Sequence, residues 1–97
     1  MHFIFPFPTP LIQQPLRYDL PEESMVILKI YDLMGWDVKT LINGTEKVGF
    51  KNVMWDGKDK YGRNLSSGMY IYRINAVSKE SDREFHETRK MVFLQWY

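Results

Sequence analysis

The strongest constraint on the fold comes from short runs in which apolar and polar residues alternate. Leucine and tyrosine alternate with arginine and aspartate over residues 16–20, and Val, Leu and Ile occupy alternate positions over 26–30. Runs of the same kind cover residues 69–77 and 84–94. Alternation at period two places apolar side chains on one face of a strand, and no segment keeps a helical stripe through three turns. The sequence therefore predicts an all-β fold.

Turn signals separate these runs at regular intervals. Gly35 stands where a bulged hairpin needs a positive φ, and Asn43-Gly44 is the strongest turn signal, expected to end a third strand over residues 36–42. A fourth strand is expected over residues 50–55 and a very short one at Leu65. Short strands with turns between them are typical of an immunoglobulin-like or fibronectin-III-like antiparallel β-sandwich, here of about seven strands.

The predicted sandwich needs large side chains inside, because its two sheets bury their inner faces against each other. Trp55, Tyr70 and Tyr72 are the expected anchors of this core. A buried indole N–H needs an acceptor, so we expect a backbone carbonyl of the neighbouring loop to accept the Trp55 hydrogen bond.

The chain divides at its prolines. Four of the five prolines fall within residues 1–15, where fixed φ angles and missing donors favour an extended leader or linker. Residues 16–97 are then expected to form one Ig-like β-sandwich domain, since 97 residues suit a single domain. A hydrophobic content of 44% and a charged content of 26% argue against global disorder.

Charge and cysteine content remove several classes of function. A formal net charge of +1 leaves no broad basic face for nucleic acid. Cysteine is absent, which excludes disulfides, thiolate metal sites and a cysteine nucleophile. The longest apolar runs fall far below the ~20 residues that a membrane-spanning helix needs. We expect no nucleic-acid partner and no membrane span.

The residues that could support catalysis form no motif. A Ser-His-Asp arrangement would require Ser66 or Ser67 to meet His86, and no nucleophile elbow surrounds either serine. A strand histidine between phenylalanine and glutamate is far more often a surface or edge residue. We expect no enzyme, no catalytic residue and no cofactor.

Asp56 and Asp59 are weak candidates for a Ca²⁺ site in a polar loop. Their spacing is not that of an EF-hand, and the lysines at 58 and 60 would repel a cation. Aspartates in such loops commonly accept backbone N–H bonds and stabilise turns. We favour that interpretation and predict no metal site.

Several segments carry a family likeness in chain order: Arg17-Tyr18-Asp19-Leu20-Pro21, Trp55-Asp56-Gly57-Lys58-Asp59, Gly62-Arg63 and Ser67-Gly68-Met69-Tyr70-Ile71-Tyr72. Over residues 16–94 the chain resembles the immunoglobulin-like domain of the flagellar hook-capping protein family. It is also similar to the C-terminal sorting domains of the type IX secretion system. The residues that carry the motif read as turn glycines and core aromatics, so it specifies a fold and leaves function to the surface. These motif residues are Trp55, Gly57, Gly62, Gly68, Tyr70 and Tyr72.

The resemblance implies a non-enzymatic accessory module, first of all a C-terminal sorting or attachment domain of an exported bacterial protein. Its partner would be a larger secreted carrier protein or the secretion machinery. The chain would then be extracellular or at the cell surface, with an export signal that this sequence does not contain. Two alternatives remain: a structural module of the flagellar hook cap, and a carbohydrate-binding surface module with Trp36, Trp96 or Tyr97 as a stacking platform.

Aromatic residues at both termini form a possible interaction surface. Exposed together, they would make the kind of apolar patch that marks an interface. The first and last strands are also expected to be sheet edges, so self-association through edge strands is a further possibility. The terminal residues concerned are Phe3, Phe5, Phe7, Trp96 and Tyr97.

Overall fold

Two antiparallel sheets make up the part of the chain that the computed structural model describes, residues 14–94. One sheet has two strands in the order β1-β4, and the other has four in the order β3-β2-β5-β6. The predicted all-β Ig-like sandwich is confirmed, with six strands in place of about seven. No helix long and apolar enough to cross a membrane occurs within residues 14–94. The strands are β1 (Gln14–Leu20), β2 (Ser24–Asp32), β3 (Asp37–Glu46), β4 (Gly49–Trp55), β5 (Gly68–Ser78) and β6 (Glu84–Phe93).

The core is built from the alternate residues that the sequence pattern assigns to the inner faces. Strands β1, β2 and β5 each contribute every second side chain, while Trp55 ends β4 inside the core. Burying one large aliphatic or aromatic side chain contributes about 1.5–3 kcal/mol, so this set dominates the stability. The buried residues are Leu16, Tyr18, Leu20, Val26, Leu28, Ile30, Val38, Trp55, Tyr70, Tyr72, Ile74, Ala76, Met91 and Phe93.

The turn expected at Asn43-Gly44 is wrong. Both residues lie inside β3, where Gly44 is opposite Val26 of β2. Pairing with β2 continues to Glu46, so a turn at residue 43 would give up the last part of this ladder. The chain leaves β3 after Glu46 and enters β4 of the other sheet at Gly49, which has a φ of 130°.

Three boundaries differ from those expected. Strand β3 begins at Asp37, so Trp36 precedes it, and β1 begins at Gln14, inside the expected leader. Leu65 is in no strand, because the short pairing in this region joins Lys58 to Asn64 as an isolated bridge. Gly35 does have the predicted positive φ, at 90°.

Glu22 ties the β1–β2 turn to the β5–β6 hairpin. Its carboxylate accepts hydrogen bonds from the hydroxyls of Ser78 and Ser81 and pairs with the guanidinium of Arg83. The Ser78 hydrogen bond, followed by those from Arg83 and Ser81, lowers the pKa of Glu22 to about 2. The carboxylate therefore stays charged over most of the pH range and holds the two turns together.

Candidate interaction site

Trp55 occupies the centre of the motif corner, which we define as Trp55, Gly57, Asp59, Tyr70 and Phe93. Its side chain is fully buried, and its indole N–H donates to the Lys58 carbonyl at 3.0 Å, as the sequence predicted. The Tyr70 ring meets it edge-on at 5.2 Å, and the Phe93 ring lies 5.1 Å away. Aromatic contacts in these geometries add stability beyond the area they bury.

Gly57 lies directly against the Phe93 ring. Its φ is +77°, and a Cβ at this position would lie under 3.0 Å from three atoms of the ring. The sequence suggested a tight loop at Gly57 but gave no sign of this contact, because Phe93 is distant in the chain. The glycine therefore serves both the turn and the close approach of the loop to the core.

Asp59 organises the loop that follows Trp55. Its Oδ1 accepts the backbone N–H groups of Tyr61 and Arg63, each at 2.9 Å, and its Oδ2 accepts the Arg63 guanidinium at 3.0 Å. These bonds, led by the Arg63 N–H, hold the pKa of Asp59 below its usual value. Asp56 similarly accepts the Lys58 N–H at 3.0 Å. Both carboxylates thus stabilise turns.

The described residues contain no cluster that suits a metal or a catalytic triad. Within residues 14–94, no three His, Cys, Asp or Glu side chains converge on one point. His86 faces Asn75 in the β5–β6 ladder, while Ser67 precedes the residue that pairs with Phe93. Seven residues along β6 separate the two places, or roughly 20 Å at the rise of a strand. Ser66 gives its carbonyl to the Tyr70 hydroxyl at 2.7 Å.

The remaining motif residues have structural places. Gly62, with a φ of 81°, turns the loop, and Gly68 begins β5. The Tyr72 hydroxyl crosses between the sheets and donates to the Arg17 carbonyl at 3.4 Å. Burial raises the pKa of Tyr72, so this hydroxyl remains a donor.

An apolar tip projects from the end of the sandwich where β2 turns into β3. We define the apolar tip as Leu33, Met34, Trp36 and Tyr61, with exposed fractions of 59%, 82%, 69% and 71%. Its shape is fixed, because Asp32 Oδ1 accepts the N–H groups of Met34 and Trp36 at 2.9 Å. The loop that carries Tyr61 reaches the same end through a bond between the Lys60 N–H and the Val38 carbonyl.

The apolar tip is the best candidate for protein contact among residues 14–94. Large side chains that stay exposed on a rigid turn carry little entropy cost when a partner covers them. The sequence drew attention to Trp36 alone, as a possible carbohydrate platform. Consecutive apolar residues in a turn, Leu33 and Met34, were the signal that could have revealed the rest.

A second surface is a groove between the facing edges of β1 and β6, called here the β1–β6 groove. One part, of about 340 Å³, is lined mainly by apolar side chains of β1, β5 and β6, and it adjoins a second part of about 620 Å³. Within residues 14–94, β1 pairs only with β4 and β6 only with β5, so both groove edges are free. The apolar lining consists of Tyr18, Leu20, Pro21, Ile74, Ala76 and Phe85.

Tyr18 carries an unusual feature of this groove. Its side chain is only 5% exposed, and its hydroxyl has no hydrogen-bond partner among the described residues. Burial, with a smaller effect from the carboxylate of Glu46, raises the pKa of Tyr18 to about 12. The hydroxyl is therefore a protonated donor without an acceptor.

Comparison with known proteins identifies the family. The family model described as the FlgD Ig-like domain matches residues 13–80, which is most of the sandwich. The chain belongs to the FlgD Ig-like domain family. This confirms the hook-capping part of the resemblance seen in the sequence, and the match names no type IX sorting domain.

A solved structure supports the same family. The chain is similar to the crystal structure of FlgD from P. aeruginosa, with 26% identity and a TM-score of 0.65. The alignment covers 86% of this chain and 61% of that one, so this FlgD-type chain spans less than two thirds of its structural relative. No curated protein matches the chain.

The terminal aromatics of the expected interaction surface cannot be placed on this FlgD-type fold. Phe3, Phe5, Phe7, Trp96 and Tyr97 lie outside the described residues. The surfaces that the structure does place are the apolar tip and the β1–β6 groove.

Proposed function

We propose that this chain is a structural, non-enzymatic module of a flagellar hook-capping protein. The observation that carries the proposal is the FlgD Ig-like family match over residues 13–80 together with the likeness to FlgD from P. aeruginosa. Both comparisons name FlgD, which favours the hook-cap function over the sorting function expected first from the sequence. Export to the cell surface remains part of the proposal, because a hook cap is assembled outside the cell.

The geometry of the motif corner supports a structural function. Trp55, Gly57 and Asp59 spend their chemical groups on packing and turn formation inside the domain. None of them presents a reactive group to a cavity, so the most distinctive residues of the chain specify the fold. A module of this kind acts through the surface that it offers to neighbours.

The apolar tip is the surface that we assign to contact with a neighbouring subunit. Met34 and Trp36 are more than two thirds exposed, and Asp32 fixes the turn that carries them. Rigid aromatic and methionine side chains are enriched at the centres of protein interfaces. The partner would be a hook or cap subunit with an apolar pocket.

A chimera tests the proposal. The region of FlgD from P. aeruginosa that aligns with this chain is replaced by residues 1–97, and the chimera is expressed in a strain without its own FlgD. We expect hooks to form, as seen by electron microscopy, and swimming to return at least in part. The same chimera with Met34→Asp and Trp36→Asp should be produced at an equal level but should form few hooks.

Lys47→Asp is the matched control, because Lys47 is exposed at the opposite end of β3 and gains a negative charge in the same way. It should support hooks like the unsubstituted chimera. If the unsubstituted chimera is folded and exported yet forms no hooks, the hook-cap function is wrong. Export of a fused reporter by a type IX secretion host would instead support the sorting function.

A further inference from the structure

We propose that the β1–β6 groove binds residues 1–13 of the same chain, which lie there as an extended edge strand with Phe3, Phe5 and Phe7 packed against the groove lining. This would complete the smaller sheet with a third strand. The proposal goes beyond the hook-cap function and does not depend on it.

The groove has the shape and lining that such a strand needs. Its floor consists of inward side chains of β5, Ile74 and Ala76, and its walls are β1 and β6. The smaller sheet has only two strands, so it does not cover the full width of the four-stranded sheet. An apolar opening along a free strand edge is a ready template for strand addition.

The buried hydroxyl of Tyr18 gives an independent sign that something fills this groove. Buried hydroxyls are almost always paired, because a buried donor without a partner costs about 1–3 kcal/mol. No acceptor for Tyr18 exists among residues 14–94. An extended segment in the groove would bring backbone carbonyls, which are the acceptors that the hydroxyl lacks.

Residues 1–13 have the matching chemistry. Phe3, Phe5 and Phe7 alternate at period two, so in an extended conformation their rings share one face. Prolines at 6, 8 and 10 occupy the opposite parity and favour extended backbone angles. Proline removes N–H donors but keeps every carbonyl, so the segment remains rich in acceptors. Such a strand also ends the sheet, since proline discourages further pairing.

The length of the segment allows it to reach the groove of its own molecule. Thirteen residues precede Gln14 and span at most roughly 45 Å when extended. Strand β1 has seven residues, so the segment can turn back and run beside it. Because the segment is joined directly to β1, its effective concentration at this groove exceeds that of a second copy in dilute solution.

A single spin label on the full chain tests the proposal. The sequence contains no cysteine, so His2→Cys provides one site for a nitroxide. We expect the label to reduce the amide NMR signals of Leu20 and His86, which line the end of the groove. Amides of β3 are the internal control, because β3 lies at the opposite edge of the larger sheet.

The contact must depend on the phenylalanines and must form within one molecule. Phe5→Asp with Phe7→Asp, in the same labelled chain, should restore the Leu20 and His86 signals. Mixing spin-labelled chain with isotope-labelled chain that carries no label should leave all signals intact. Loss of signal only in the mixture would show docking to a second copy, and unselective loss would show no docking; either result overturns the proposal.

Hydrogen exchange on the unsubstituted chain provides a second measurement if the double variant fails to fold. The Arg17 carbonyl faces the groove, where Tyr72 donates to it, and a residue's N–H and C=O point to the same edge of a strand. We expect the Arg17 and Asp19 amides to exchange as slowly as amides of central β5. Exchange at the rate of a solvent-exposed edge would overturn the proposal.

Discussion

The motif corner and the β1–β6 groove are built from the same materials and reach opposite results. Both combine aromatic side chains with buried polar groups between the two sheets. In the motif corner, the Trp55 indole and the Tyr70 hydroxyl each have a carbonyl acceptor, and Phe93 covers Gly57. In the groove, the Tyr18 hydroxyl has no acceptor within residues 14–94, and the edges of β1 and β6 are free.

This difference separates residues that specify the fold from residues that remain available. A saturated corner can gain little from a partner, because its polar groups are paired and its apolar area is covered. The groove can gain both apolar burial and a hydrogen bond when a strand enters it. The predictions below therefore measure how complete each region is.

Trp55→Ala should produce the largest effect, a loss of about 3–5 kcal/mol in the free energy of unfolding. The substitution removes the ring between Tyr70 and Phe93 and leaves a cavity in the motif corner. Trp36→Ala is the matched control, since Trp36 is 69% exposed and its loss should stay within about 0.5 kcal/mol. Urea denaturation of both variants measures the contrast. A Trp55→Ala loss below about 1 kcal/mol would place Trp55 outside the core.

Gly57→Ala should rank second and should cost more than Gly62→Ala. Both glycines have a similar positive φ, 77° and 81°, but a Cβ at Gly62 meets no atom within 4 Å. Gly62→Ala therefore measures the conformational cost alone, about 1–2 kcal/mol. Gly57→Ala adds the overlap with Phe93, about 1–3 kcal/mol for overpacking. Equal losses in thermal or urea unfolding would mean that the loop moves freely away from the ring.

The contrast between local and distant features also explains what the sequence could predict. Alternation identified Leu16, Leu28 and Ile74 as core residues, because the facing of a strand residue depends only on its own segment. Asn43-Gly44 failed as a turn because pairing of β3 along β2 outweighed the local preference. The contact of Gly57 with Phe93 joins residues far apart in the chain and left no local signal.

The candidate surfaces were harder to predict for the same reason. The β1–β6 groove depends on which strands become neighbours, and this is decided by the packing of two sheets. The apolar tip was visible in part, through Trp36, but Tyr61 joins it only because the Lys60 N–H bonds to the Val38 carbonyl.

Glu22 links two turns at the end of the sandwich opposite the motif corner, and its effect should depend on pH. A carboxyl whose pKa is lowered from 4.5 to about 2 stabilises the fold above about pH 4.5. That contribution is lost as the pH falls toward 2. Glu22→Gln should therefore lower the melting temperature at pH 7 and approach the unsubstituted chain near pH 2. Glu23→Gln, at the exposed neighbouring position, should follow the unsubstituted chain throughout. Parallel melting curves for Glu22→Gln and the unsubstituted chain across this range would contradict the assignment.

The smallest effect, and the one that tests the comparison most directly, comes from removing one hydroxyl in each region. Tyr70→Phe takes away the donor to the Ser66 carbonyl and should cost about 0.5–1.5 kcal/mol. With residues 1–13 in the groove, Tyr18→Phe should cost a similar amount in the full chain, because the segment supplies the acceptor that residues 14–94 lack.

The Phe5→Asp and Phe7→Asp background separates the two hydroxyls. There the Tyr70→Phe loss should persist, since its acceptor lies in the motif corner, while the Tyr18→Phe loss should vanish. Urea denaturation of the four single and combined variants gives the coupling directly. A Tyr18→Phe substitution that is neutral in both backgrounds would mean that the hydroxyl stays unpaired in the complete chain, and that the groove side remains unfinished where the motif corner is saturated.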